Sequence, residues 1–125
     1  MLAVDDDADA RALITETLEI AGARVTTVDS AAAAIEALER VHPQVLLADI
    51  GLAGSDGFEL ITRVRESADA LIRDVPAAAL TAYARAEDRV KVLTSGFQMH
   101  LAKPIDPAEL VVAVASLSNR RSNGG

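Results

Sequence analysis

Apolar residues fall into two alternating patterns along the chain. Short unbroken runs at residues 2–4, 45–48 and 77–80 have the length of strands, residues 99–102 make a brief strand interrupted by His100, and the β-branched stretch 24–28 makes a fifth. Between them, apolar positions recur at helical spacing. Leu13, Ile14, Thr17, Leu18 and Ala21 share one face of residues 9–21, and Ile35, Leu38 and Val41 form a stripe in 31–41 behind Ser30 as N-cap. Ile61 and Val64 continue the pattern in 58–65, and Leu110, Val114 and Leu117 do so in 107–117. A weaker amphipathic helix is predicted over 86–94. Gly22 closes the first helix, and Gly51, Gly54 and Gly57 mark a loop after the third strand. The polar segment 67–75 carries no helical period.

Five strands alternating with five helices imply a parallel α/β sheet with right-handed crossovers and helices on both faces. The run at 45–48 reads as a strand buried on both sides, and 77–80 is another such apolar run, stopping at Thr81. In such sheets ligands gather beyond the carboxyl ends of the strands. The residues delivered there are Asp5 and Asp6 after the first strand, Asp49 after the third, Thr81 after the fourth and Lys103 after the fifth. Residues 118–125 read as a polar tail or linker behind a single domain spanning 1–117.

Composition removes several functions. Cysteine is absent, which excludes disulfides, thiolate catalysis and cysteine-held metals. A net charge of −7 with scattered basic residues, and aromatics at 2%, leaves little basis for direct nucleic-acid binding. No apolar run approaches the roughly 18 residues of a membrane span, so direct membrane contact is not expected and a cytoplasmic location fits best. Neither a Walker-type loop nor a Gly-x-Gly-x-x-Gly follows the first strand.

Carboxylates crowded on one rim repel, at about 4 kcal/mol per pair for a separation of roughly 4 Å and an effective dielectric of about 20. A hard divalent cation with oxygen ligands relieves this, and Mg²⁺ suits carboxylates combined with a substrate phosphate. A cation and Lys103 beside one carboxylate make a phosphoryl-transfer site in which Asp49 is the nucleophile. Thr81 would bond a phosphoryl oxygen.

Val4, Asp5, Asp6 and Asp7, then Leu46, Leu47, Ala48 and Asp49 with Asp56 and Gly57, then Leu80, Thr81 and Ala82, and finally Lys103 and Pro104 resemble the receiver domain of two-component response regulators. The resemblance covers essentially the whole chain. It implies a flavodoxin-like (βα)5 fold with strand order 2-1-3-4-5, and a phosphoacceptor signalling module rather than an enzyme. Asp49 would accept phosphate from a phosphohistidine of a histidine kinase or phosphotransfer domain. Asp5 and Asp6 would hold Mg²⁺, joined by Asp49 and the backbone carbonyl of Gly51. Lys103 would pair with the phosphoryl oxygens, Thr81 would move toward them, and the Lys103–Pro104 bond would be cis, for which a tertiary amide carries a small penalty. The face formed by the fourth helix, fifth strand and fifth helix would switch, and could carry a homodimer.

The chain departs from the pattern in two ways. His100 stands where the family usually places an aromatic switch residue, and Leu52 and Ala53 replace a frequent Met-Pro pair. Simpler readings exist for each residue. The acidic run could merely cap the first helix, Asp49 could end a strand, Thr81 could satisfy local backbone, and Lys103 could lie on the surface. His42 is expected in solvent, and Tyr83 on a surface or interface. The rival functions are a small Mg-dependent phosphatase using the Asp5-x-Asp7 spacing, and a receiver-like module that binds partners without phosphate. The Leu80 to Arg85 stretch is similar to receivers of hybrid sensor kinases, so an excised receiver is expected over a stand-alone regulator.

Overall fold

The computed structural model describes residues 1–51, 57–82 and 86–123. Leu52, Ala53, Gly54, Asp56 and Tyr83 of the sequence reading lie outside the described residues.

The strands are β1 (Leu2–Val4), β2 (Thr26–Val28), β3 (Leu46–Asp49), β4 (Ala77–Thr81) and β5 (Met99–Ala102). The helices are α1 (Ala8–Ile20), α2 (Ala31–Val41), α3 (Gly57–Arg65), α4 (Ala70–Arg73), α5 (Ala86–Ser95) and α6 (Pro107–Asn123). All strands are parallel, in the order β2-β1-β3-β4-β5. This is the predicted doubly wound flavodoxin-like arrangement.

Local chemistry sets the helix ends. Asp7 caps α1 by accepting from the Asp9 N–H, and Ser30 caps α2 by accepting from Ala33 N–H at 3.2 Å. After α1, Gly22 adopts φ +96, and the N–H groups of Gly22 and Ala23 return to the carbonyls of Glu19 and Leu18. Those two bonds are a Schellman stop, and only glycine takes that φ without strain. His42 closes α2 in the left-handed region at φ 49, and its Nε2 lies 2.9 Å from Asp69 Oδ2. It is exposed, as expected, and its ring is paired with Asp69. The hydrogen bond from His42 and the Leu71 N–H hold the Asp69 carboxyl below its ordinary value.

Two boundaries differ from the sequence expectation. The polar stretch 67–75 holds the single turn α4, capped by Asp69. One turn is too short to show a 3.6-residue period. The last helix runs on to Asn123 instead of ending at Leu117; residues 118–123 are all polar, so no apolar stripe marked their helical period in the sequence.

The core has two layers. On one face of the sheet, α1 and α6 cover Ala3, Leu47, Ala78, Leu80 and Leu101 through Ile14, Leu18, Leu110 and Leu117. On the other, α2, α3 and α5 cover Val4, Leu46, Ala48, Ala77 and Ala79 through Leu38, Leu60, Ile61, Val64 and Val92. β1, β3 and β4 are buried at every residue, which explains their unbroken apolar runs. Covering both faces leaves the strand ends as the place where polar groups emerge.

Candidate functional site

Parallel register brings those ends into line. Val4 pairs with Ala48, Asp49 with Leu80, and Thr81 with Ala102. Asp5 and Lys103 follow immediately after Val4 and Ala102, so all four polar positions stand on one rim. The ladder is extended past the strands by Asp5 N–H to Val28 O, Ile50 N–H to Leu80 O and Lys103 N–H to Thr81 O. Backbone bonds therefore fix where each side chain starts.

Asp5, Asp6 and Asp49 each offer an oxygen within 4.8 Å of the others. Asp5 is fully buried and Asp49 is 7% exposed, whereas Asp6 faces solvent. Lys103 Nζ donates to Asp5 Oδ2 at 2.7 Å and to Asp49 Oδ2 at 3.3 Å. The other oxygens are oriented by backbone: Asp7 N–H donates to Asp5 Oδ1 at 2.9 Å, and Gly51 N–H to Asp49 Oδ1 at 3.1 Å. Arg11 Nη1 donates to the Asp5 carbonyl at 2.6 Å, a tie from α1 that the sequence reading missed. Arg11 carried no signal because its acceptor is a backbone oxygen, which every residue has.

Burial pushes the Asp5 carboxyl above its ordinary value, against the pull of the Lys103 hydrogen bond and the Asp7 N–H; the Asp49 charge adds to the rise. Burial alone would lower the Lys103 ammonium. Its hydrogen bond to Asp5 and the charges of Asp5 and Asp49 outweigh that, and hold it above its ordinary value. One ammonium thus serves two buried carboxylates with a third beside them. The donor set is all oxygen, partly preoriented and net negative, which fits a hard divalent cation.

Gly57 supports Asp49 from behind. A Cβ there would lie 2.6 Å from the Asp49 carbonyl oxygen and 2.9 Å from Ile50 Cα, so only glycine lets α3 start against the end of β3. Its N–H donates to Ile50 O at 2.9 Å. The sequence reading took Gly57 as a loop marker within the Asp56-Gly57 pair, and the close approach is what adds meaning to it.

Thr81 is 3% exposed and follows Ala77 and Ala79 in the two-residue period, which aims it to the α3 and α5 side. His100 pairs with Ala79 and so stands diagonal to Thr81 on that side. Its Nε2 is buried without a hydrogen-bond partner among the described residues. The Lys103–Pro104 bond is cis. Beside the rim, Ala10, Leu13, Pro104 and Ile105 form the apolar wall of a cleft of about 430 Å³ that also touches Asp7, Asp9 and Lys103.

Known proteins agree with this layout. Residues 1–115 match the response regulator receiver domain family. An uncharacterised 14.6 kDa protein from the sodA1 3′ region of Leptolyngbya boryana is 50% identical over 111 residues, 89% of this chain and 83% of that protein. The transcriptional regulatory protein PrrA of Mycobacterium tuberculosis is 34% identical over 98% of this chain, which spans 51% of that protein's length. The crystallised chemotaxis response regulator CheY4 of Vibrio cholerae superposes with a TM-score of 0.86 at 26% identity, over 93% of this chain and 95% of that one. With sequence match, strand order and rim geometry in agreement, the chain belongs to the response regulator receiver domain family, the phosphoacceptor signalling modules of two-component systems.

Proposed function

We propose that Asp49 is the phosphoacceptor, that Asp5, Asp6, Asp49 and the carbonyl of Gly51 hold Mg²⁺, and that Lys103 and Thr81 receive the phosphoryl oxygens. The observation carrying this reading is the convergence of three carboxylates within 4.8 Å, two of them hydrogen-bonded to the Lys103 ammonium. A bound Mg²⁺ would supply charge neutralisation for the carboxylates and the incoming phosphoryl group. The chain's own residues do the rest. The Gly51 N–H bond to one Asp49 oxygen leaves Oδ2 directed toward Lys103, where an arriving phosphoryl oxygen meets the ammonium.

The transfer breaks the phosphorus–nitrogen bond of a phosphohistidine as an Asp49 oxygen forms an acyl phosphate; the leaving imidazole takes its proton from solvent. Lys103 holds positive charge where negative charge develops, and its raised proton affinity keeps it charged at neutral pH. The partner is a histidine kinase or phosphotransfer domain, and the domain acts only on its own Asp49. Residues 1–117 form the receiver, working in the cytoplasm and touching neither nucleic acid nor membrane directly. No helix among the described residues is long and apolar enough to cross a membrane.

Phosphorylation adds about −1.5 to −2 charge at the rim. Thr81 responds first, and His100, diagonal to it with an orphaned Nε2, is the switch residue passing the change to the face made of α5, β5 and α6. That is the predicted fourth-helix, fifth-strand, fifth-helix face, renumbered because α4 intervenes. Val90 and Leu93 on α5 and Val112 on α6 are exposed there, which supports homodimer formation through it.

The test is incubation with acetyl phosphate and Mg²⁺, read by intact mass and sedimentation. The wild type should gain one phosphoryl group and Asp49→Asn none. Equal gain by both removes Asp49 from its role, and sedimentation unchanged by phosphorylation removes the homodimer.

A further inference from the structure

The opposite edge of the sheet carries a second polar assembly, centred on Arg65 at the end of α3. Its Nε and Nη2 donate to the Gly96 carbonyl at 2.9 and 2.8 Å. Nη1 donates to the carbonyls of Arg73 at 2.8 Å and Val75 at 2.6 Å. Nη2 also reaches Gln98 Oε1 at 3.1 Å, and that oxygen accepts the N–H of Ala77, the first residue of β4, at 2.7 Å. A guanidinium has five N–H donors in a fixed plane, and each is used. One side chain thereby joins α3, the exit of α4, the entry of β4 and the turn between α5 and β5.

The backbone is shaped for this contact. Gly96 sits at φ +125, and a Cβ there would lie 3.0 Å from Arg65 Cγ and 3.3 Å from Ile61 Cγ1. The turn before β5 therefore rests directly on the last turn of α3. Phe97, the next residue, packs into the same core layer as Leu60, Ile61, Val64 and Val92.

At its other end α3 is fixed to the acceptor. Gly57 lies against the Asp49 carbonyl and its N–H is bonded to Ile50 O. The nine residues of α3 span roughly 13 Å at the helical rise. α3 is thus a short strut gripped by the end of β3 at one tip and by the α5–β5 turn at the other.

Resting on the phosphoacceptor reading of Asp49, we propose that Arg65 makes α3 and the α5–β5 turn one mechanical body, so that a change at Asp49 reaches the start of β5 along α3 as well as through Thr81. Arg65 is a positioning residue here. It touches no reacting atom, and acts by where it holds residues 96–98.

The experiment compares wild type, Arg65→Met and Arg65→Lys by amide NMR before and after adding Mg²⁺ and beryllofluoride, a phosphoryl mimic. All three should respond at Asp49 to Gly51 and at Thr81, which a merely structural loss of the guanidinium does not alter. The wild-type response should extend to residues 96–99. In Arg65→Met that distal response should fall at least about twofold while the response at the rim persists, with Arg65→Lys intermediate. A full distal response in Arg65→Met overturns the inference and leaves the phosphoacceptor reading intact. A wild type that responds nowhere overturns that reading, and the inference with it. Should Arg65→Met fail to give a folded spectrum, Arg65→Gln, which keeps a polar amide but loses the fork that grips Gly96 and Gln98 together, replaces it under the same criteria.

Discussion

The two edges of the same parallel sheet handle polarity in opposite ways. At the carboxyl edge, Asp5, Asp6 and Asp49 crowd around one ammonium, so like charges are held together by the fold. At the amino edge, the Arg65 guanidinium meets carbonyls of Gly96, Arg73 and Val75 with Gln98, and every donor is matched. The first edge is short of positive charge and has reason to bind a cation and a phosphoryl group. The second is complete and has reason only to hold. Polar clustering by itself does not mark a binding site; unbalanced charge does.

The contrast predicts stability changes of opposite sign. The largest is at the amino edge: Arg65→Ala strips three carbonyls and Gln98 of a charged donor and should lower unfolding free energy by about 2–3 kcal/mol in urea titration. A loss no larger than that of an ordinary surface substitution would show that water replaces the guanidinium there without cost.

At the carboxyl edge the sign reverses. Asp5→Asn in Mg²⁺-free buffer should raise stability by about 1 kcal/mol at neutral pH, since it removes a buried charge that Asp49 opposes. The pH dependence follows from the raised Asp5 carboxyl. Between the ordinary value of 3.8 and its folded value, native Asp5 binds a proton that the unfolded chain has released, so wild-type stability falls as pH rises through that window. The advantage of the variant should vanish below the ordinary value and reach its full size above the folded one. A variant less stable than wild type at neutral pH would mean that the Lys103 bond outweighs the repulsion.

The smallest effect is at the exposed His42 and Asp69 pair, which shares no bond with Arg65 or the acidic rim and serves as a control. His42→Gln should move the Asp69 carboxyl back up toward its ordinary value of 3.8 in a carbon-13 titration, with phosphoryl uptake at Asp49 unaltered. An unmoved Asp69 would assign the depression to the backbone N–H groups of Leu71 and Ile72.

The sequence made the carboxyl edge legible and left the amino edge hidden, for a physical reason. Asp5, Asp49, Thr81 and Lys103 each end an apolar run, and a buried strand advertises its end by the first polar residue. The binary pattern thus located both the strands and the rim. Arg65 ends a helix whose neighbouring residues are also charged, and its partners are mostly backbone carbonyls, which leave no mark on composition. Gly96 preceded a strand like any turn glycine, and only its φ and the closeness of Arg65 Cγ distinguish it. The α4 turn escaped because four residues carry no period, and the last turns of α6 escaped because nothing apolar lies on them. His42 is exposed as expected, but its pairing went unseen because Asp69 lies 27 positions away.

The strand order has a consequence for assembly. β1, first in sequence, ends up between β2 and β3, while Lys103 arrives just after the edge strand β5. Asp5 cannot meet Asp49 until β3 has docked beside β1, and neither meets its ammonium until nearly the whole polypeptide has been placed. Competence to receive a signal is therefore a property of the finished domain: a partly built receiver has the acids in its sequence but nowhere the pocket, and cannot draw phosphate from a kinase prematurely.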